Sequence, residues 1–134
     1  MSGHYAAPLP AVDWVEAGGR DGTVTLTASK DVRADDPYLP AHFPDHPVYP
    51  GVFVLETVRQ AVIAALGERA GALPDLVEVR SLRLLRAVRP GERLCVAAAL
   101  THGGGGGPIL VDARCELADG TEVARLRLGF GYEP

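Results

Sequence analysis

Cysteine is scarce in this chain of 134 residues, and the two present, Cys95 and Cys115, sit in separate apolar runs without CxxC spacing. That excludes a disulfide-built scaffold and leaves both thiols as reduced core or interface residues. No apolar run approaches the roughly 18 residues that cross a bilayer, and Met1 to Pro10 lacks the basic-then-apolar order of an export signal. The expectation is a cytoplasmic chain with no membrane partner. Positive charge is not in excess either, since 13 Lys and Arg stand against 17 Asp and Glu for a net −4, and nothing draws the chain to nucleic acid. HExxH, GxSxG and Gly-Lys-Ser/Thr are all missing, which removes common zinc-protease, serine-hydrolase and phosphate-loop readings. His42 and His46 are four apart, but Pro44 and Pro47 argue against a helix there, so no zinc pair is expected.

What is present suits one globular domain spanning 1–134. The chain is 47% hydrophobic and 22% charged, ordinary for a packed protein, and small enough that an oligomeric interface would help stabilise it. Leu9 to Val15 and Thr23 to Ala28 read as two strands, with the cluster Ala17 to Gly22 as the loop between them. Pro37, Pro40, Pro44, Pro47 and Pro50 exclude regular structure and stiffen the segment that carries both histidines. From Gly51 to about Leu66 the chain is apolar on nearly all sides, which predicts a buried helix that Gly67 stops. Leu76 to Val88, Leu94 to Leu100, Ile109 to Leu117 and Glu122 to Phe130 read as strands separated by turn residues, the glycine run 103–107 serving as a hairpin loop. The sum is an α+β domain in which a curved antiparallel sheet of about six strands wraps one helix.

The stretch His42 to Glu56 concentrates the candidate chemistry. A carboxylate in an apolar helix is costly and points to work, here as an acid, while His42 suits a general base. The first helical N–H groups are unpaired, and Gly51 lets a ligand's carbonyl approach one closely. A histidine, a carboxylate and such a donor around one cavity fit proton removal next to a thioester carbonyl. A proline-rich turn that only caps a core helix is the competing explanation. His46 fits a structural role within the loop.

The run His42 to Gln60 resembles the signature HFPxHPxxPGVLxxEAxAQ of the 3-hydroxyacyl-(acyl-carrier-protein) dehydratases of bacterial fatty-acid synthesis. His42 and Glu56 keep that family's spacing, fourteen positions apart. Arg86 to Leu94 is similar to its RRPVxPGDxL segment. The resemblance implies a hotdog fold whose dimer joins two sheets into one, with each site completed across the interface. It also implies that His42 removes the proton alpha to the thioester, Glu56 delivers a proton to the departing 3-hydroxyl, and the Gly51 N–H polarises the carbonyl. It implies no metal or redox cofactor, and a substrate carried on the phosphopantetheine of an acyl carrier protein.

Two departures from the signature stand out. Arg59 occupies the alanine position ahead of Gln60, three residues from Glu56 and within reach on a helix, where an ion pair would oppose the proton an acid must carry. Tyr49 replaces a residue that is often Met, and with Phe53 it is expected to shape the acyl tunnel. The Glu-x-x-Arg-Gln form also resembles the hotdog domains of butyrolactone autoregulator synthases, and together these features suit a polyketide or polyene pathway as well as fatty-acid synthesis. Arg80, Arg83, Arg86, Arg89 and Arg93 form a local basic region, either a solvated face or a docking patch for the acidic carrier. The remaining alternatives are a non-catalytic subunit of a heterodimer, a second hotdog chain as partner in place of a homodimer or larger homo-oligomer, and a hotdog thioesterase.

Overall fold

The computed structural model describes residues 11–20, 22–33, 49, 51–102 and 107–132. Six strands and one helix follow in the order β1 (Trp14–Arg20), β2 (Thr23–Asp31), α1 (Gly51–Leu66), β3 (Pro74–Leu84), β4 (Arg93–His102), β5 (Ile109–Leu117) and β6 (Glu122–Tyr132). All pair antiparallel in one sheet with spatial order β1-β2-β4-β5-β6-β3. The helix enters between β2 and β3, so the chain crosses from one side of the sheet to its far edge by way of α1. The sheet curves around this helix in the hotdog arrangement.

Period-two patterning explains the central strands. Leu94, Val96, Ala98 and Leu100 of β4 are buried, and their register partners Leu117, Cys115, Ala113 and Val111 on β5 are buried with them. The row continues into β6, where Val111 faces Leu128 and Cys115 faces Ala124. Each large buried aliphatic side chain contributes about 1.5–3 kcal/mol, whereas an exposed ion pair contributes about 0–1 kcal/mol. This core, rather than the arginine pairs on the outer face, therefore holds the sheet together. Burial pushes the Cys115 thiol up to about 12, so it is packing material and not a nucleophile.

Both ends of α1 have local causes. At its C-terminus Gly67 adopts a left-handed conformation (φ 68°), donates to the Ile63 carbonyl at 2.9 Å, and has its own carbonyl bonded by the Tyr132 hydroxyl at 2.8 Å. At its N-terminus a Cβ on Gly51 would collide with Leu84 at the end of β3, so glycine allows this close seating. Thr57 would be an awkward buried polar group in mid-helix. Its hydroxyl bonds the Phe53 carbonyl at 3.0 Å and the Tyr49 hydroxyl at 2.9 Å, which satisfies it.

Three connections converge on residues 88–92. The Val32 N–H donates to the Glu92 carbonyl (3.0 Å), the Gly91 N–H to the Val32 carbonyl (2.8 Å), and the Tyr49 N–H to the Val88 carbonyl (2.7 Å). Gly91 has φ 91°, as this turn requires.

The structure corrects three expectations. Ala17 to Arg20 belongs to β1 rather than to a loop, because the connection is the tight turn at Gly22 (φ 80°) and the register runs on to Arg20 opposite Thr23. β3 stops at Leu84, and Val88 makes only an isolated bridge with Tyr49. The helix is not covered all round: Val54, Thr57, Val58, Ala61 and Val62 are buried, but Val52 and Ala64 face outward. An apolar composition does not say which face of a helix the sheet covers.

Edge strand β3 is the conspicuous surface. Of eight large apolar side chains exposed among the described residues, six lie between 73 and 85: Leu73, Val77, Val79, Leu82, Leu84 and Leu85. The strand is eleven residues long with two register shifts, and its outer edge has no partner strand in the sheet. A long apolar edge of this kind is a template for pairing with another strand.

Candidate active site

Glu56 lies in the second turn of α1 with its side chain 28% exposed, so the chain on its own half-buries the carboxylate that the sequence predicts to be buried. Its surroundings are built from helical spacing. Arg59 at i+3 donates from Nη1 to Glu56 Oε2 at 3.0 Å, and Gln60 at i+4 donates from Nε2 to the same oxygen at 2.8 Å. Gln60 is held in turn, its Oε1 accepting from the Ala11 N–H at 3.0 Å. Two donors fill the acceptor positions of Oε2. Among the described residues no hydrogen bond reaches Oε1, which is left as the carboxylate atom open to a reacting group.

Arg59 faces a second carboxylate that sequence reasoning missed. Asp75, near the start of β3, receives Nε at 2.8 Å on Oδ1 and Nη2 at 3.3 Å on Oδ2, the two-pronged geometry that suits a guanidinium. The Leu76 N–H also donates to Asp75 Oδ1 at 2.7 Å. The hydrogen bond to Asp75 raises Arg59 further above its ordinary value, with Glu56 adding a Coulombic contribution, so the guanidinium is charged at every relevant pH. The same bond, with the Leu76 N–H, holds the Asp75 carboxyl below the usual carboxylate range. Asp75 sits sixteen residues from Arg59 on another element, with no motif around it. Only the chain path that brings β3 beside α1 reveals it.

His42 and His46 lie outside the described residues. Gly51 opens the helix at its amide end, against Leu84. Tyr49, assigned to the acyl tunnel on sequence, is 2% exposed, meets Phe53 edge-on at 5.5 Å between ring centres, and spends its hydroxyl on Thr57. It braces the helix start, and Phe53 is half-buried beside it. The five arginines of the expected docking patch do not act alike. Arg80 pairs with Glu78 (3.7 Å), Arg86 with Glu92 (3.1 Å) and Arg93 with Asp31 (2.7 Å). Arg83 and Arg89 are exposed and form no ion pair among the described residues. Arg83 is in register with the exposed Arg125 on the face of the sheet opposite Leu84, near Glu122, whereas Arg89 adjoins Val88, which bonds Tyr49, so only Arg89 flanks the helix start.

Comparison with known proteins agrees with this geometry. Among solved structures, an uncharacterized protein from Erwinia carotovora subsp. atroseptica superposes with a TM-score of 0.71 at 16% identity, covering 93% of this chain and 98% of that one. The dehydratase heterocomplex ApeI:P from Xenorhabdus doucetiae gives a TM-score of 0.64 at 13% identity, covering 87% and 94%. These likenesses establish the hotdog fold. In sequence, the 3-hydroxyacyl-[acyl-carrier-protein] dehydratase FabZ of Thermus thermophilus is 38% identical over 108 residues, 77% of this chain and 74% of that protein. Residues 9–127 match the FabA-like domain, nearly the whole length including α1 and its carboxylate, and the chain belongs to that family.

Proposed function

We propose that the chain dehydrates a 3-hydroxyacyl thioester carried on acyl carrier protein, giving the trans-2-enoyl thioester and water, as a step of fatty-acid synthesis in the cytoplasm. The observation that carries this reading is the Glu56 carboxylate, anchored through Oε2 with no hydrogen bond on Oε1 among the described residues, at the helix position where the resemblance of the run His42 to Gln60 implies the catalytic carboxylate. In the proposed step His42 takes the proton from C2, the C2–C3 double bond forms, and the C3–O bond breaks. The departing hydroxyl receives its proton from Glu56 Oε1, since the Arg59 ion pair that opposes protonation holds Oε2 alone, and it leaves as water. The Gly51 N–H, at the positive end of the helix dipole, stabilises the charge that develops on the thioester oxygen. No electrons are exchanged with another molecule, so the reaction requires no redox cofactor.

The bare β3 edge supports a partner that is a second copy of the chain, pairing β3 to β3. His42 of one subunit would then serve Glu56 of the other. The direct test incubates the purified protein with a panel of 3-hydroxyacyl carrier proteins and follows the loss of one water by mass spectrometry. Turnover of at least one chain length, abolished by His42→Ala in a folded protein, is expected. Turnover that persists in that variant, or none with any substrate, would refute the reading.

Carrier docking is assigned to Arg89, which is exposed beside the helix start and forms no ion pair among the described residues. Reversing Arg89 to Glu is expected to raise KM for the carrier-bound substrate about tenfold while leaving a short free thioester unaffected, and the same change at Arg83, on the far face of the sheet, to leave both unaffected. Arg86 is a poorer probe, because a Glu there would face Glu92 and disturb the 88–92 turn. Equal effects of the Arg89 reversal on both substrates would sink the docking assignment.

A further inference from the structure

We propose that Asp75 is a positioning residue for the reaction: by holding the Nε and Nη2 prongs of Arg59, it limits that guanidinium to a single bond with Glu56 Oε2 and keeps Oε1 free for substrate. The inference rests on the dehydratase reading for its kinetic consequence, but the arrangement it describes is independent of substrate.

Arg59 has a planar fork of donors, and a carboxylate three residues away on the same helix is a natural target for two of them. Unrestrained, the fork would close on both oxygens of Glu56 and occupy the atom that must exchange a proton. The structure shows the fork turned aside. Nε and Nη2 go to Asp75 at 2.8 and 3.3 Å, and only Nη1 remains for Glu56, on the oxygen that Gln60 already holds. Asp75 is a surface carboxylate, its side chain 61% exposed, and the Leu76 N–H at 2.7 Å holds Oδ1 in place for the arginine. An arginine beside the proton donor is thereby turned from a cap into an anchor.

The test compares Asp75→Asn, Arg59→Gln and the double variant in the full-length protein, by crystal structure and by steady-state kinetics on the carrier-bound substrate that the wild type turns over. In Asp75→Asn, Arg59 is expected to bond both oxygens of Glu56, and kcat to fall about tenfold with KM little changed. The double variant is expected to recover most of that loss, since no guanidinium remains to cover Oε1, and Asp75→Glu to retain most of the activity. Arg59 keeping its one-oxygen contact in Asp75→Asn would overturn the inference, whatever the enzyme does. So would a double variant as slow as Asp75→Asn, the result expected if Asp75 only ties β3 to the helix. A wild type without turnover would refute the dehydratase reading instead, and the crystal structures would still decide the geometry.

Discussion

Glu56→Gln is expected to slow enoyl formation by about 10²–10⁴-fold, the range that a positioned general acid contributes. Gln is isosteric and can still accept the Gln60 and Arg59 hydrogen bonds on its carbonyl oxygen, so the helix should keep its place. What it lacks is a dissociable proton at the Oε1 position. The loss should therefore fall on kcat, with KM close to that of the wild type, because the interaction removed is made in the transition state. Steady-state kinetics on one carrier-bound substrate, with circular dichroism to confirm folding, measures this. A kcat near the wild-type value would mean that the leaving hydroxyl takes its proton from another group, and the assignment of Glu56 would fail.

The second large effect is expected at the β3 edge. Val79 and Leu82 stand in register with the buried Leu128 and Leu126, so they continue the apolar face of the sheet up to its last strand, where a single chain leaves them exposed. Replacing both with Lys puts two charges where the second sheet should join, and lysine is a residue that natural edges use to prevent pairing. Light scattering is expected to show a dimer for the wild type and a monomer for Val79→Lys/Leu82→Lys. Turnover should fall with the dimer, to about the level of Glu56→Gln, because each site would lose the other subunit's His42. Glu16→Lys on β1, at the opposite edge, controls for added charge and is expected to remain an active dimer. A monomeric wild type with full activity, or a double-lysine variant that stays dimeric, would overturn the shared-site arrangement.

The legibility of this chain follows the range of the forces involved. α1 from Gly51 to Leu66 and β5 from Ile109 to Leu117 are read from sequence to the residue, because glycines and prolines punctuate them and their apolar pattern is local. β1 is misread because Gly18 and Gly19 look like a turn, although register with β2 keeps them in a strand and the tight turn at Gly22 does the reversing. At the site, helical spacing makes the Glu56–Arg59–Gln60 cluster visible in advance. Asp75 and the Ala11 N–H are not visible, since each meets the cluster from a distant element whose place is set by the whole topology. Burial is legible only in part for the same reason. Composition marks the surfaces that must be covered, as on α1 and β3, without saying which are covered by the chain itself.

The turn at 88–92 ties together the two stretches that carry the family resemblance. Val32, just past β2, and Tyr49, just before α1, both bond to that turn, so the end of one element and the start of the next are fastened in one place. Holding stretches distant in sequence together costs entropy that depends only weakly on their separation, and here three backbone hydrogen bonds in one place offset it. Those bonds use main-chain atoms, which makes them indifferent to most side-chain changes in the turn but sensitive to its backbone path. Gly91, at φ 91°, is where that path is least tolerant of a side chain. A mutation there would shift where Val32 and Tyr49 are held, at the exit of β2 and the entry to α1, without ever coming near Glu56.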